Sequence, residues 1–349
     1  MASTPPPEVP MDSTPSRIRR RATAAVTTAL AAVVLAALVV AAPTPASAAP
    51  KEAAPRPPAD PNGAFLFRDG RFTPLGGIGG VALTAHVNHD NCGQVVGFYV
   101  DAQGTWRSFV KDRHGRVTTF AVPGAQATLA AGINDRGQVA GTYYDPGFTI
   151  GDGNPPPPGT VHGFIRQPGG RITTIDLPAR FDGTAVTDIN DRGQLVGQTA
   201  DTQGRGIGFL REPNGGVTII DVPGAQKVDY PLAVNNRGQV AASYTDAGAP
   251  PDRFAPNTRH GFGWDRDRIT RFDVPRSMAT AAFGINDAGQ ITGAYADADG
   301  RNHGFLLQRN RFTRLDAPGR PENSAAWGIN DRGEIVIPEL GTGLGQVAM

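Results

Sequence analysis

Cysteine is almost absent from this chain. Cys92 is the single one in 349 residues, so no internal disulfide can brace the fold. An excess of either charge is also missing, with 33 Lys and Arg against 32 Asp and Glu. Four of those Arg and two of those acids fall in the first 48 residues, so the remainder is balanced to within one charge. Without a basic block there is no electrostatic footprint for nucleic acid. Helical periodicity is lacking beyond the N-terminal region, which excludes bundles and coiled coils. Hydrophobic residues, at 39%, fall below the usual share for a globular chain. Glycine (45) and proline (31) are abundant instead, and beyond residue 60 they recur at regular intervals, as turns between short strands do.

The one long apolar run is Ala22–Ala42, preceded by Arg17, Arg19, Arg20 and Arg21 and followed by Ala46-Ser47-Ala48. Residues 1–48 thus read as an export signal, with secretion to the extracellular space as the expectation. The run is near the length that spans a bilayer, so an uncleaved N-terminal anchor is the alternative. No cysteine follows it and no wall-sorting tail closes the chain, which argues against lipid or wall attachment. Residues 49–62, rich in Pro and Ala, read as an extended linker. Residues 63–345 are the repeat domain.

The repeat is set by GINDRGQVAG at Gly132. It returns as DINDRGQLVG at Asp188, AVNNRGQVAA at Ala233, GINDAGQITG at Gly284 and GINDRGEIVI at Gly328. A degraded copy, HDNCGQVVG, begins at His89. Each unit holds four short segments: a small apolar one, GQVxGxYxD, one centred on Phe (Phe65, Phe109, Phe164, Phe209, Phe262, Phe305), and RxTxxDxP. Such segments, bounded by Gly and Asp or Asn, are strands, and turns this short join antiparallel neighbours. The Asn-Asp-x-Gly stretch suits a turn in which Asn134 or Asp135 bonds to backbone two residues on and Gly137 takes positive φ. A ring of cation sites is the other reading, but one such turn offers too few oxygens for calcium.

The turn glycines Gly93, Gly137, Gly193, Gly238, Gly289 and Gly333 are spaced 44, 56, 45, 51 and 44 apart. The two long intervals come from insertions between the second and third segments, Asp145–Thr160 and Asp246–Arg259. Four strands every 40 to 50 residues indicate an all-β fold, a β-propeller of four-stranded meander blades. The chain starts with segments three and four (Gly63–Leu75) and ends with segments one and two (Ser324–Leu340). Pairing these half-blades gives a closed, six-bladed ring and removes exposed edges. An open solenoid, the alternative, would need atypical caps at both ends.

His162, His260 and His303 open the third segment. They stand between Asp145, Asp246 and Asp297 on one side and Asp176, Asp273 and Asp316 on the other. A His–Asp pair can serve acid–base chemistry, but a site made three times reads better as a stabilising network. Cys92 reads as a buried small residue. No metal or cofactor site and no catalytic residue is assigned.

The motifs GINDRGQVAGTYYD (Gly132–Asp145), HGF (His162–Phe164 and His303–Phe305) and IDVPGA (Ile220–Ala225) resemble the secreted bacterial HAF-repeat family over about Gly63–Leu340. The resemblance implies an extracellular repeat protein and carries no catalytic residues with it. Cys92, Ala242 and Ile207 depart from its pattern.

Three functions follow from this reading. The first is a monomeric binding module for a glycan, cell-wall polymer or protein. It would use the face bearing both insertions and the blade crossovers: Arg180, Asp182, Lys227, Asp229 and Tyr230, with Trp106 and Trp264 as stacking surfaces if exposed. The second is a hydrolase or lyase with a metal in the central channel, where His86, Asp188 and the repeat Asn are the polar residues of the inner strands. The third is a passive surface protein.

Overall fold

A computed structural model describes residues 64–75, 87–101, 103–147, 156–249, 258–318 and 323–338. The signal and linker segments, the outer parts of both insertions, His86 and the residues from 339 onward lie outside the described residues. The chain opens with β1 (Ala64–Arg68) and β2 (Arg71–Pro74). A first full unit follows: β3 (Val87–His89), β4 (Val95–Val100), β5 (Trp106–Lys111) and β6 (Val117–Phe120). The second is β7 (Ala127–Ile133), β8 (Val139–Tyr144), β9 (Val161–Arg166) and β10 (Ile172–Ile175). The third is β11 (Asp182–Ile189), β12 (Leu195–Ala200), β13 (Gly206–Arg211) and β14 (Val217–Ile220). The fourth is β15 (Ala225–Val234), β16 (Val240–Asp246), β17 (Arg259–Asp265) and β18 (Arg268–Phe272). The fifth is β19 (Ala279–Ile285), β20 (Ile291–Ala296), β21 (Asn302–Gln308) and β22 (Arg311–Leu315). The chain closes with β23 (Gly328–Ile329) and β24 (Ile335–Pro338).

The described residues form an all-β, propeller-like arrangement of antiparallel four-stranded meanders. A single parallel bridge, Trp106 to Ala127, joins the first two full units into one sheet. The terminal strands share a sheet in the order β2-β1-β24-β23, with Phe65 opposite Ile337. The second strand of each unit is buried on both faces, as in LVGQTA of β12, because neighbouring sheets cover it. The third-segment phenylalanines Phe109, Phe164, Phe209, Phe262 and Phe305 are the largest fully buried side chains of the core. Each contributes at most about 3 kcal/mol of apolar burial. Glycine in the facing strand makes room for the ring, since a Cβ on Gly141 would lie 2.9 Å from Phe164.

The repeated turn works as its residue types demand. Gly137 has φ of 69°, and its N–H donates to Asn134 O at 2.8 Å. Asn134 Oδ1 accepts from Arg136 N (3.2 Å) and Gln138 N (3.0 Å). Asp135 behaves differently from the expected local bond: its Oδ1 accepts Asn91 N of the preceding unit at 2.8 Å. The same link repeats from Asp135 N to Asp191, Asp191 N to Asn236, Asn236 N to Asp287, Asp287 N to Asp331, and Asp331 N to Asn91. These six bonds return to the residue from which they started.

A second belt lies beside the first. Asn134 Nδ2 donates to Asn190 O, Asn190 to Asn235 O, Asn235 to Asn286 O, Asn286 to Asn330 O, and Asn330 to Asp90 O, all at 2.8–3.1 Å. Asp90, in the degraded copy, has no carboxamide with which to make the sixth link. Its Oδ1 still accepts Cys92 N and Gln94 N, each at 2.8 Å, as the turn Asn does in the other copies. Cys92 itself is exposed, contrary to the buried position expected of it.

Candidate functional site

Hairpins between second and third strands emerge on the face opposite the Asn-Asp-x-Gly turns, and both insertions belong to such hairpins. Their stems are held tightly: Asp145 N donates to Thr160 O at 3.0 Å and Asp246 N to Thr258 O at 2.9 Å. Asp182, from the next unit, accepts Gly159 N at 3.1 Å and so ties the first insertion to its neighbour. Arg180 is exposed, with its guanidinium 4.9 Å from the Phe181 ring centroid.

The remaining predicted ligand residues are placed differently. Asp229 is 5% exposed and lies 3.2 Å from Lys227 Nζ and 3.3 Å from Arg259 Nε, while Thr245 Oγ1 donates to it at 2.7 Å. The Arg259 and Lys227 charges hold its carboxyl below the usual range against the pull of burial. It anchors the return stem of the second insertion and offers no free carboxylate. Trp106 and Trp264 are 6% and 8% exposed, so neither provides an open stacking surface. Each belongs to a core cluster shared with a neighbouring unit, Trp106 with Leu129 and Tyr144 and Trp264 with Val196 and Leu210. The Tyr230 side chain lies outside the described residues.

The repeated His–Asp groups come together on this face as networks. His162 Nδ1 meets Asp176 at 2.8 Å and its Nε2 meets Asp145 at 3.3 Å. His260 is bracketed in the same way by Asp273 and Asp246, and His303 by Asp316 and Asp297. Tyr143 stacks on His162 at 4.9 Å between ring centroids. In the third unit, Arg205 fills the role by pairing with both Asp201 and Asp221. Burial lowers the His162 and His260 pKa values, but the flanking carboxylates outweigh it and leave both raised.

A second set of polar residues converges on the central axis. Asn88 of β3 reaches across to Asp188 of β11, Nδ2 to Oδ1 at 3.4 Å. The equivalent residues elsewhere are Gly132, Ala233, Gly284 and Gly328. A Cβ at Gly132 would stand 2.5 Å from Asp188 Oδ1, and one at Gly328 would stand 2.7 Å from Asn88 Oδ1. The small residues between them therefore leave space for the bridge. Asp188 also accepts Ile189 N at 2.9 Å and Val234 N at 3.0 Å. Burial pushes its pKa up to about 7, against those two amides.

The bridge divides the axis. On the turn side lies a cavity of about 70 Å³ lined by the Asn and Asp of the turns. On the other side is one of about 20 Å³, walled by Phe283, Trp327 and Leu232. Phe283 and Trp327 stack at 4.3 Å with their planes 13° apart. Asp188 was visible as a polar residue of an inner strand. Asn88, Phe283 and Trp327 were not singled out, although a position-by-position comparison of the six copies marks each as an exception.

Among solved structures, the chain is similar to a protein assigned as TolB from Agrobacterium tumefaciens. Identity is 10% over 79% of this chain and 97% of that one, with a TM-score of 0.52. Weaker likeness extends to virginiamycin B lyase from Staphylococcus aureus, with 14% identity over 77% and 84% of the two chains and a TM-score of 0.43. It extends also to the β-propeller domain of the trilobed protease from Pyrococcus furiosus, with 8% identity over 72% and 77% and a TM-score of 0.42. No family model matches the sequence, and a search of curated proteins finds no match. At these identities the likeness concerns the fold alone, and the fold it supports is that of a propeller module.

Proposed function

We infer that residues 63–345 form a six-bladed β-propeller, closed by pairing of the N-terminal and C-terminal half-blades, that serves as a secreted binding module. The HAF-repeat motifs and the N-terminal apolar run support secretion. The β1–β24 pairing and the six-link turn belt support closure. The binding reading rests on one observation: the two largest departures from the repeat rise from hydrogen-bonded stems on the same face of a rigid frame. Arg180 and Asp182, at the foot of the first insertion, are the described residues proposed to contact a partner there. The partner class is an extracellular glycan, cell-wall polymer or protein.

Chemistry in the channel, the second function considered, finds little room. Ligand sites commonly enclose several hundred Å³, whereas the axial cavities measure about 70 and 20 Å³. The direct test replaces both insertions with the short Asp201–Arg205 turn of the third unit. Retention on insoluble peptidoglycan and on immobilised glycans is then measured for both forms. Loss of retention with unchanged thermal stability supports the reading; equal retention by both proteins overturns it.

A further inference from the structure

Asp188 is a buried carboxylate that the repeat does not need. Four of the six copies carry Gly or Ala at its position and still form the inner strand. It is 9% exposed, it accepts two backbone amides and the Asn88 carboxamide, and among the described residues no Lys, Arg or His pairs with it. Taking a carboxylate out of water without a cationic partner is costly. The residue lines both axial cavities and shares the smaller one with the stacked pair Phe283 and Trp327, which also stand out from the Val, Ala, Thr and Leu of the other copies.

We propose that the smaller axial cavity binds a primary ammonium group, held between the Asp188 carboxylate and the Phe283–Trp327 wall. The carboxylate supplies the counter-charge, and the aromatic faces attract a cation that has shed its water. A calcium ion would need six to eight oxygens, and the side chains lining this cavity bring one carboxylate, one carboxamide and the Thr187 hydroxyl, which is engaged with backbone carbonyls. Its volume of about 20 Å³ accepts one group the size of a water molecule, which suits –NH₃⁺ and excludes a quaternary ammonium. The alkyl chain behind the charge lies outside this volume and leaves past the apolar lining residues Leu232 and Ala131. A free alkylamine and a lysine side chain of a larger partner share this chemistry.

Calorimetric titration of the whole protein with n-butylammonium chloride is the test, with n-butanol as the neutral isostere and potassium chloride as the bare cation. Saturable binding of the amine alone is expected. Affinity should rise roughly tenfold from pH 6 to pH 8, as Asp188 ionises around 7 while the amine stays charged. Asp188→Asn should weaken binding at least tenfold. Circular dichroism at pH 8 checks that the variant is folded, since one of the two amides that donate to Asp188 then faces an N–H donor. Trp327→Leu should weaken amine binding in a protein that still unfolds in one cooperative urea transition. A short lysine-bearing peptide that competes with the amine assigns the source as a side chain, and one that does not assigns it as a free amine. Equal binding of butanol, equal competition by potassium, or undiminished binding by folded Asp188→Asn would overturn the proposal.

Discussion

Replacing Asn190 by Ala should destabilise the protein far more than a turn substitution ordinarily does. The side chain donates to Asn235 O of the next unit at 2.8 Å and to Gln194 Oε1 at 2.6 Å, and it accepts Gln194 N at 3.0 Å. Three hydrogen bonds at about 1 kcal/mol net each give roughly 3 kcal/mol. Stranding the Gln194 amide, in a residue 8% exposed, adds about 1 kcal/mol or more. A loss of about 3–5 kcal/mol is therefore expected, a large part of the stability of an ordinary domain. Asn190→Asp should cost less, since the protein already shows at Asp90 how a carboxylate takes over the two backbone amides of the turn. Urea denaturation followed by circular dichroism gives both values; both variants lose the bond to the Asn235 carbonyl, and their difference isolates the turn amides that only Asp still accepts. If Asn190→Ala and Asn190→Asp each shift stability by less than about 0.5 kcal/mol, the belt does not hold the units together.

Other outcomes follow from the same structure. His162 and His260 have raised folded pKa values, so their stabilisation is complete below about pH 6.5 and is lost as pH climbs through those values. Changing both to Gln should flatten that alkaline limb of urea midpoints between pH 5 and 8, and an unaltered limb would contradict the networks. His89 runs the opposite way. Burial depresses it to about 4, so stability is complete above 6.5 and falls toward pH 4, by up to about 3 kcal/mol. His89→Ile, which restores the side chain of four sister copies, should remove this acid loss. Gly132→Ala should cost about 1–3 kcal/mol through its close approach to Asp188, and somewhat less in an Asp188→Ala background, which removes the Oδ1 contact and keeps the one to Cα. An equal cost in both backgrounds would place the strain elsewhere.

The parts legible in the sequence are those whose chemistry is local. Asn134, Gly137 and their copies announce a turn because a side-chain oxygen and a positive φ are needed within four residues. The third-segment phenylalanines recur because each sheet needs one large buried ring. What escaped the sequence depends on distant neighbours. Asp135 looks like a turn residue, yet its carboxylate serves Asn91, 44 positions away. Trp106 and Trp264 carry no local sign that the next sheet covers them. Asn88 and Asp188, 100 positions apart, meet only because the small residue at Gly132 lets them cross the axis.

The central claim is that one repeat, begun at one terminus and completed at the other, closes the ring. Removing residues 63–75 tests it most directly, because that deletion takes away β1 and β2 and uncovers β24, all four residues of which are buried. The intact chain should unfold in one cooperative urea transition, and the shortened chain should lose that cooperativity. A shortened chain with the same midpoint and slope as the intact protein would contradict closure.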